Sequence, residues 1–318
     1  MPEGRSIVIN GDLGSGKSTV TTELASRLGV RRVAMGDVHR AMAKSRGMTT
    51  LELNQHAELD KAVDDDVDQV QRDLAASGER LVVDSRLGWH FFGGAFKVHM
   101  IIDSAVAARR VTARPADAVE GYASLEQAEE KLRQRSDSER VRFIERYGVD
   151  KYLLRNYDLV CDTTRAAVGD VVDLIVAAYE GSLGAGILSE QPPLLLIDPA
   201  RIYPTQARGL DSLEEFKNSE YVAKVGHGGP AALEPLSIGY ARPHFYVIEG
   251  HRKLSAALLN DFTLVPARLV GQDSDVVHDA TSAEAYFEAC VLPELVREWS
   301  AAHGIDLPLP TQPHSSTL

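Results

Sequence analysis

The stretch that most constrains this chain is GDLGSGKSTV at residues 11–20, set between the apolar run SIVIN and the helix-like KSTVTTELASRLG. Gly11, Gly16, Lys17 and Ser18 satisfy G-x-x-x-x-G-K-[ST] in the context that motif needs, a strand before and a helix after. Lacking a Cβ, Gly11, Gly14 and Gly16 let the backbone curl so that several N–H groups point inward, with Ser15 and Thr19 completing the lining. The helix opening at Lys17 adds the positive end of its dipole. Such a loop cradles the β-phosphate of a nucleoside triphosphate, ATP or GTP. Lys17 is then expected to bridge the β- and γ-phosphates and Ser18 to hold Mg2+. A P-loop does not by itself separate a kinase from a GTPase, an ATPase or a motor.

The surrounding pattern extends the same architecture. Short β-like runs (SIVIN, RRVA, RLVVDS, KVHMIID, YDLVCDT) alternate with helical stretches such as 125–147 and 167–180. This alternation predicts βαβ units and a parallel sheet flanked by helices. A Gly/Ser/Pro-rich stretch, EGSLGAGILSEQPP, reads as a linker. We therefore expect a first domain over 1–183, a linker over 184–191, a second domain over 192–302 and a disordered Pro/Ser/Thr tail over 303–318.

At the carboxyl edge of a parallel sheet, MGDVHR (35–40) and VVDSRLGW (82–89) open beside the P-loop. Arg40 and Arg86 are thereby expected to converge on an anionic acceptor as rigid forks, with Asp37 beside them. Asp84, at a strand end, is placed to join the magnesium shell. A third basic cluster, KLRQRSDSERVRF, sets Arg133 and Arg140 seven residues apart on one helix face, with Arg135 off it. The polar ARPADAVEGYASLEQ runs ahead of it. A mobile, arginine-bearing segment is what a phosphoryl-transfer lid requires, since it must exclude water and neutralise charge before reopening.

Residues 6–165 resemble the cytidylate kinase family, particularly its compact archaeal-type branch. The resemblance rests on GDLGSGKSTV, MGDVHRAMAKSRGMTTLELNQHAELDKAVDDDVD, VVDSRLGWHF, RQRSDSERVRFIERYGVD and YDLVCDTT. It implies a nucleoside monophosphate kinase fold with an acceptor region at 37–75, Asp64 included, and an arginine-bearing lid. By position, Gly11 to Ser18 would bind the donor, Arg40 and Arg86 the acceptor's phosphate, and Arg133, Arg135 and Arg140 would serve the lid. DKAVDDDVD departs from the family's pattern: Asp65 and Asp66 stand where basic residues are expected. Carboxylates accept from an exocyclic amine or sugar hydroxyls but repel phosphate, so the acceptor need not be plain CMP.

The second half has another texture. VIEGHRKLSAALLN places a glycine between strand and helix, followed by His-Arg-Lys, which offers N–H groups, a helix N-terminus and two cations to an anion at Gly250, His251, Arg252 and Lys253. With LLLIDPARIYPTQ and EPLSIGYARPHFYVIEGHRKLSAA, the region resembles the ParB/sulfiredoxin superfamily. That implies a smaller α+β domain with a nucleotide- or phosphate-binding site. The cysteine that marks sulfiredoxins is absent before His251, and Thr205 and Gln206 stand where a serine-kinase reading wants a carboxylate.

A net charge of −12 argues against broad nucleic-acid or anionic-membrane binding. Two distant cysteines, Cys161 and Cys290, exclude a disulfide framework, and with no signal-like apolar start a cytoplasmic location is expected. A homodimer stays open. Two functions of different class follow: a kinase moving the γ-phosphate to a nucleotide or nucleoside-like acceptor, or a nucleotide-sensing regulator whose P-loop half controls a ParB-like half.

Overall fold

The computed structural model describes residues 4–48, 62–113, 122–183, 192–207 and 213–310. The chain divides into two compact units: Met1–Leu159 with Ala167–Ser189, and Val160–Ala166 with Glu190–Leu318.

In the first unit, strands β1 (Ile7–Gly11), β2 (Arg31–Ala34), β3 (Leu81–Asp84) and β4 (Phe96–Ile101) pair in the order β2-β3-β1-β4. Every pairing is parallel, with Ile9 opposite Asp84 and Gly11 opposite Met100. Parallel strands covered on both faces read as unbroken apolar runs, and Ile7, Val8, Ile9, Val82, Val83 and Val98 are all at most 1% exposed. Because the strands run together, Gly11 and Asp84 release their loops at one sheet edge.

Helices α1 (Lys17–Leu28), α2 (Met35–Ser45), α3 (Ala62–Ala76), α4 (Gly88–Phe91), α5 (Ser104–Thr112), α6 (Leu125–Tyr147) and α7 (Val168–Leu183) complete the unit. The sequence anticipated α6 at both ends. Ser124 caps it by accepting from the Gln127 amide at 3.2 Å, and Gln127 reaches back to the Ala123 amide at 2.6 Å. Glycine at 148 stops it.

The second unit takes up strand β5 (Leu159–Asp162) after its first residue. It then forms a mixed sheet of β6 (Leu194–Ile197), β7 (Ile202–Tyr203), β8 (Leu236–Ala241), β9 (His244–Glu249) and β10 (Val265–Gln272). The order is β6-β10-β8-β9-β7, antiparallel at β6/β10 and β8/β9 and parallel at β10/β8 and β9/β7. The strands expected from LLLI, LSIGY, HFYVIE and VPARLVG are these. Helix α10 (His251–Leu259) follows β9, as HRKLSAALL predicts; α8 (Leu213–Lys217), α9 (Glu220–Gly228), α11 (Ala283–Cys290) and α12 (Pro293–His303) were not anticipated.

The expected tail needs correcting over residues 303–310. α12 runs to His303, Leu307 is 6% exposed in a core cluster with Tyr203, Phe287 and Val296, and the Tyr203 hydroxyl donates to the Pro308 carbonyl at 2.9 Å. Pro-rich composition suggested disorder there, but Leu307 has an apolar pocket to fill. The expected linker 184–191, much of the polar stretch before α6 and the tail beyond 310 lie outside the described residues. Among those described, no helix is long and apolar enough to cross a membrane.

Candidate active site

The P-loop wraps as its motif demands. At Gly11 a Cβ would sit 2.3 Å from the Met100 carbonyl oxygen, so the close β1–β4 approach excludes any other residue. Gly16 takes the left-handed region, φ 84°, at the cap of α1. Ser15 is buried and spends its hydroxyl on the Asp12 carbonyl at 2.8 Å, which makes it a brace of the loop. Lys17 Nζ donates to the carbonyls of Gly11 at 2.6 Å and Asp12 at 3.1 Å. Burial lowers the Lys17 ammonium to about 8, against the opposing pull of Asp84 and Asp12.

Ser18 and Asp84 come together as expected: the Ser18 hydroxyl donates to Asp84 Oδ2 at 3.2 Å. Two hard oxygen donors beside a phosphate-binding loop suit Mg2+, which prefers a carboxylate, hydroxyl and phosphate shell. Arg32, which no motif singles out, holds Asp84 Oδ2 through Nη2 at 3.1 Å and Thr21 Oγ1 through Nε at 2.8 Å. Next to the loop, Ser18, Thr19, Thr22, Glu23, Val168 and Gly169 line an open cavity of about 560 Å³.

Arg86 is tied to helix α6 through Glu139. Arg86 Nη1 donates to Glu139 Oε1; Arg135 Nε lies 3.8 Å from the same oxygen, and Lys151 Nζ 3.3 Å from Oε2. Glu139 is 8% exposed and Lys151 7%. Burial alone would raise the Glu139 carboxyl, but Arg86, Lys151 and Arg135 reverse this and hold it below the ordinary carboxylate range. Burial lowers the Arg86 guanidinium, Glu139 opposes this, and the like charges of Arg135 and Arg142 lower it further, so three arginines share one neighbourhood.

Arg133 and Arg140, expected to share one helix face, have separate partners. Arg133 is 54% exposed and bonds Glu130 at 2.7 Å, whereas Arg140 pairs with Asp150 at 2.7 Å. The helix face turned to Arg86 carries Arg135 and Glu139. Arg40 is not brought to Arg86: it is 65% exposed and pairs with Asp37, which also lies 3.7 Å from Arg32. Asp65 and Asp66 pair with Arg146 and Arg46, so both are engaged in ion pairs. Asp64 falls where side chains are outside the described residues.

Behind the loop, a buried polar chain joins its root to the turn that follows α6. Asn10 Nδ2 donates to the Tyr157 hydroxyl at 2.7 Å and lies 3.2 Å from His99 Nδ1, and Tyr157 donates onward to the Lys151 carbonyl at 2.8 Å. The His99 ring stacks on Tyr157 at 4.6 Å, and burial lowers it to about 3. His99 is therefore neutral in the fold, while the unfolded chain takes a proton below about 6.5. Stability should fall as pH drops from about 6.5 toward 3, by about 1.4 kcal/mol per unit from this group. Urea unfolding of wild type and His99→Gln across pH 4–7 checks this. Parallel profiles in the two proteins would show that His99 does not contribute.

In the second unit, the Gly250–Lys253 junction forms with Gly250 at φ 108° capping α10. His251 is 7% exposed and turns inward, its Nε2 3.1 Å from Thr205 Oγ1 and 3.3 Å from the Thr205 amide. Arg252 lies over the Phe216 ring at 5.1 Å, and Lys253 bonds Glu234 at 3.0 Å.

The parallel α/β unit and its P-loop are of the P-loop kinase type. A family profile described as an AAA domain matches residues 7–134. The cytidylate kinase of Natronomonas pharaonis is 39% identical over 178 residues, 54% of this chain and 90% of that protein. The cytidylate kinase of Haloquadratum walsbyi is 34% identical over 183 residues, 57% of this chain and 93% of that protein. A protein of Lacinutrix mariniflava named S-adenosylmethionine-dependent nucleotide dehydratase is 33% identical over 178 residues, 55% of this chain and 36% of that protein. A shikimate kinase structure from Bacteroides thetaiotaomicron gives a TM-score of 0.43 at 14% identity, over 55% of this chain and 98% of that one. Through its N-terminal half the chain belongs to the cytidylate kinase family, with the phosphotransferase character of a kinase.

Proposed function

We propose that the chain transfers the γ-phosphate of ATP to a nucleoside monophosphate, with a CMP-like pyrimidine nucleotide as the acceptor of first choice. The observation that carries this is a P-loop with Ser18 donating to Asp84 at 3.2 Å, and, two residues beyond Asp84, Arg86 meeting Arg135 at the Glu139 carboxylate. A donor loop and a cluster of cations are what two phosphate-bearing substrates require.

In this reading the P-loop amides and Lys17 grip the donor's β- and γ-phosphates, while Arg86, Arg135 and Arg142 bind the acceptor phosphate and offset charge on the equatorial oxygens. Ser18 and Asp84 would hold Mg2+, which when bound draws charge from the donor's phosphates. Arg32 fixes the Asp84 carboxylate. Positioning and charge neutralisation supply most of the rate, because in-line transfer asks for little covalent chemistry from the protein. For the second unit we propose a ParB/sulfiredoxin-like ligand-binding role, supported by the Gly250 junction meeting the turn at Thr205.

Release of ADP from ATP, or of GDP from GTP, each alone and with CMP, UMP, AMP or GMP, tests the main proposal. A kinase releases the donor's diphosphate in strict dependence on an acceptor. Slow release that no acceptor accelerates would favour the nucleotide-sensing regulator.

A further inference from the structure

Lys151 is a charged side chain that the proposed chemistry does not yet use, and it is 7% exposed. Burying an ammonium is costly unless it is fully paired. This one donates to Ser136 Oγ at 2.9 Å, faces Glu139 Oε2 at 3.3 Å and lies 5.1 Å from the centroid of the Tyr152 ring. Its neighbours are pinned as well: Asp150 pairs with Arg140 at 2.7 Å and accepts from the Tyr152 amide at 2.9 Å. Its own carbonyl is held by Tyr157, which Asn10 holds in turn, one residue before the P-loop. Lys151 is thus fixed with respect to the donor loop.

The division of the Glu139 carboxylate is the informative detail. Arg86 and Arg135 both face Oε1, and Lys151 faces Oε2. A carboxylate left to one guanidinium pairs with it through two parallel bonds, and a guanidinium committed in that way is a poor ligand for anything else. With the lysine on the second oxygen, Arg86 is kept to a single bond. Arg86, Arg135 and Lys151 thus gather around one carboxylate.

We propose that Lys151 is a positioning residue of the transfer site: by occupying one oxygen of Glu139 it keeps that carboxylate from capturing Arg86 and Arg135, and so reserves them for the acceptor's phosphate. This rests on the reading of those arginines as acceptor ligands.

The experiment uses the full chain with ATP, Mg2+ and CMP, in four forms: wild type, Lys151→Met, Lys151→Arg and the double variant Glu139→Gln/Lys151→Met. In Lys151→Met, Glu139 is expected to swing onto the arginines. The CMP KM and the calorimetric CMP Kd should then rise by up to about 100-fold, the scale of a catalytic group displaced by an ångström, with the ATP KM unchanged. Lys151→Arg should restore most of the affinity. The double variant should bind CMP more tightly than Lys151→Met, because a neutral amide no longer competes for the guanidiniums. Equal CMP affinities in wild type and Lys151→Met, parallel losses for ATP and CMP, or a double variant no better than the single one would each overturn the proposal. Because calorimetry reads binding without turnover, a wild type that binds CMP but does not phosphorylate it leaves Lys151 still tested while the kinase reading fails. A wild type that does not bind CMP overturns both.

Discussion

In a Lys17→Ala variant, acceptor-dependent ADP formation is expected to fall about 100- to 1,000-fold, the usual loss when one preorganised charge leaves a developing transition state. The fold should survive this change. Burial brings the Lys17 ammonium to about 8 in the native protein, against 10.5 for an unperturbed lysine. Between these values the unfolded chain holds more protons, so stability rises with pH across that window and the charged lysine is a net cost at pH 7. The variant should therefore melt at or above the wild-type temperature at neutral pH while losing activity. A folded variant retaining more than about a tenth of the wild-type rate, only ~1.4 kcal/mol of barrier, would mean that the P-loop does not serve the donor.

The second large effect is expected at Arg86. Its guanidinium, 41% exposed, reaches the buried Glu139, and losing one charge-assisted fork to a bound phosphate costs roughly 2–5 kcal/mol of acceptor affinity. Glu139 keeps Arg135 and Lys151 in Arg86→Ala, so the loss should fall on the acceptor rather than on stability. Steady-state kinetics should show a large rise in acceptor KM with the ATP KM little changed. Arg40→Ala should do less, because Arg40 is 65% exposed and paired with its helix neighbour Asp37. An unchanged acceptor KM in Arg86→Ala would point to an acceptor without a phosphate.

The contrast between these arginines marks how far the sequence could be read. The P-loop, the Ser18–Asp84 meeting and both ends of α6 were legible because each rests on local rules: glycine where the backbone curls, a strand end at the ligand edge, a capping box and a stop. Spacing also placed Arg133 and Arg140 on a common face. It could not say which face of a charged helix turns inward, because that depends on Arg86 and Lys151 arriving from elsewhere in the chain. Glu139, buried in a run of solvent-like residues, gave no signal, since a buried charge and a solvated one are spelled alike. Arg32 was hidden for a related reason: in RRVA it reads as an edge-strand cation, and its partnership with Asp84 exists only through the parallel register of β2 on β3. Leu307 was missed because a proline-rich stretch looks unstructured until the pocket that receives it is known.

The second unit is built from two separate lengths of chain, and this bears on any attempt to divide the protein. Asp162 is completely buried, and it accepts from Arg201 at 2.7 Å and from the Asp198 amide at 3.4 Å. Arg165 likewise grips the buried Asp198 through two nitrogens, each at 2.7 Å. A truncation after residue 183 severs both arrangements. It strands Asp162 without its guanidinium and leaves Arg165 without its carboxylate, on the very segment that bridges the two halves of the kinase sequence. The seam between the parts of this protein does not fall at a point where scissors would find it.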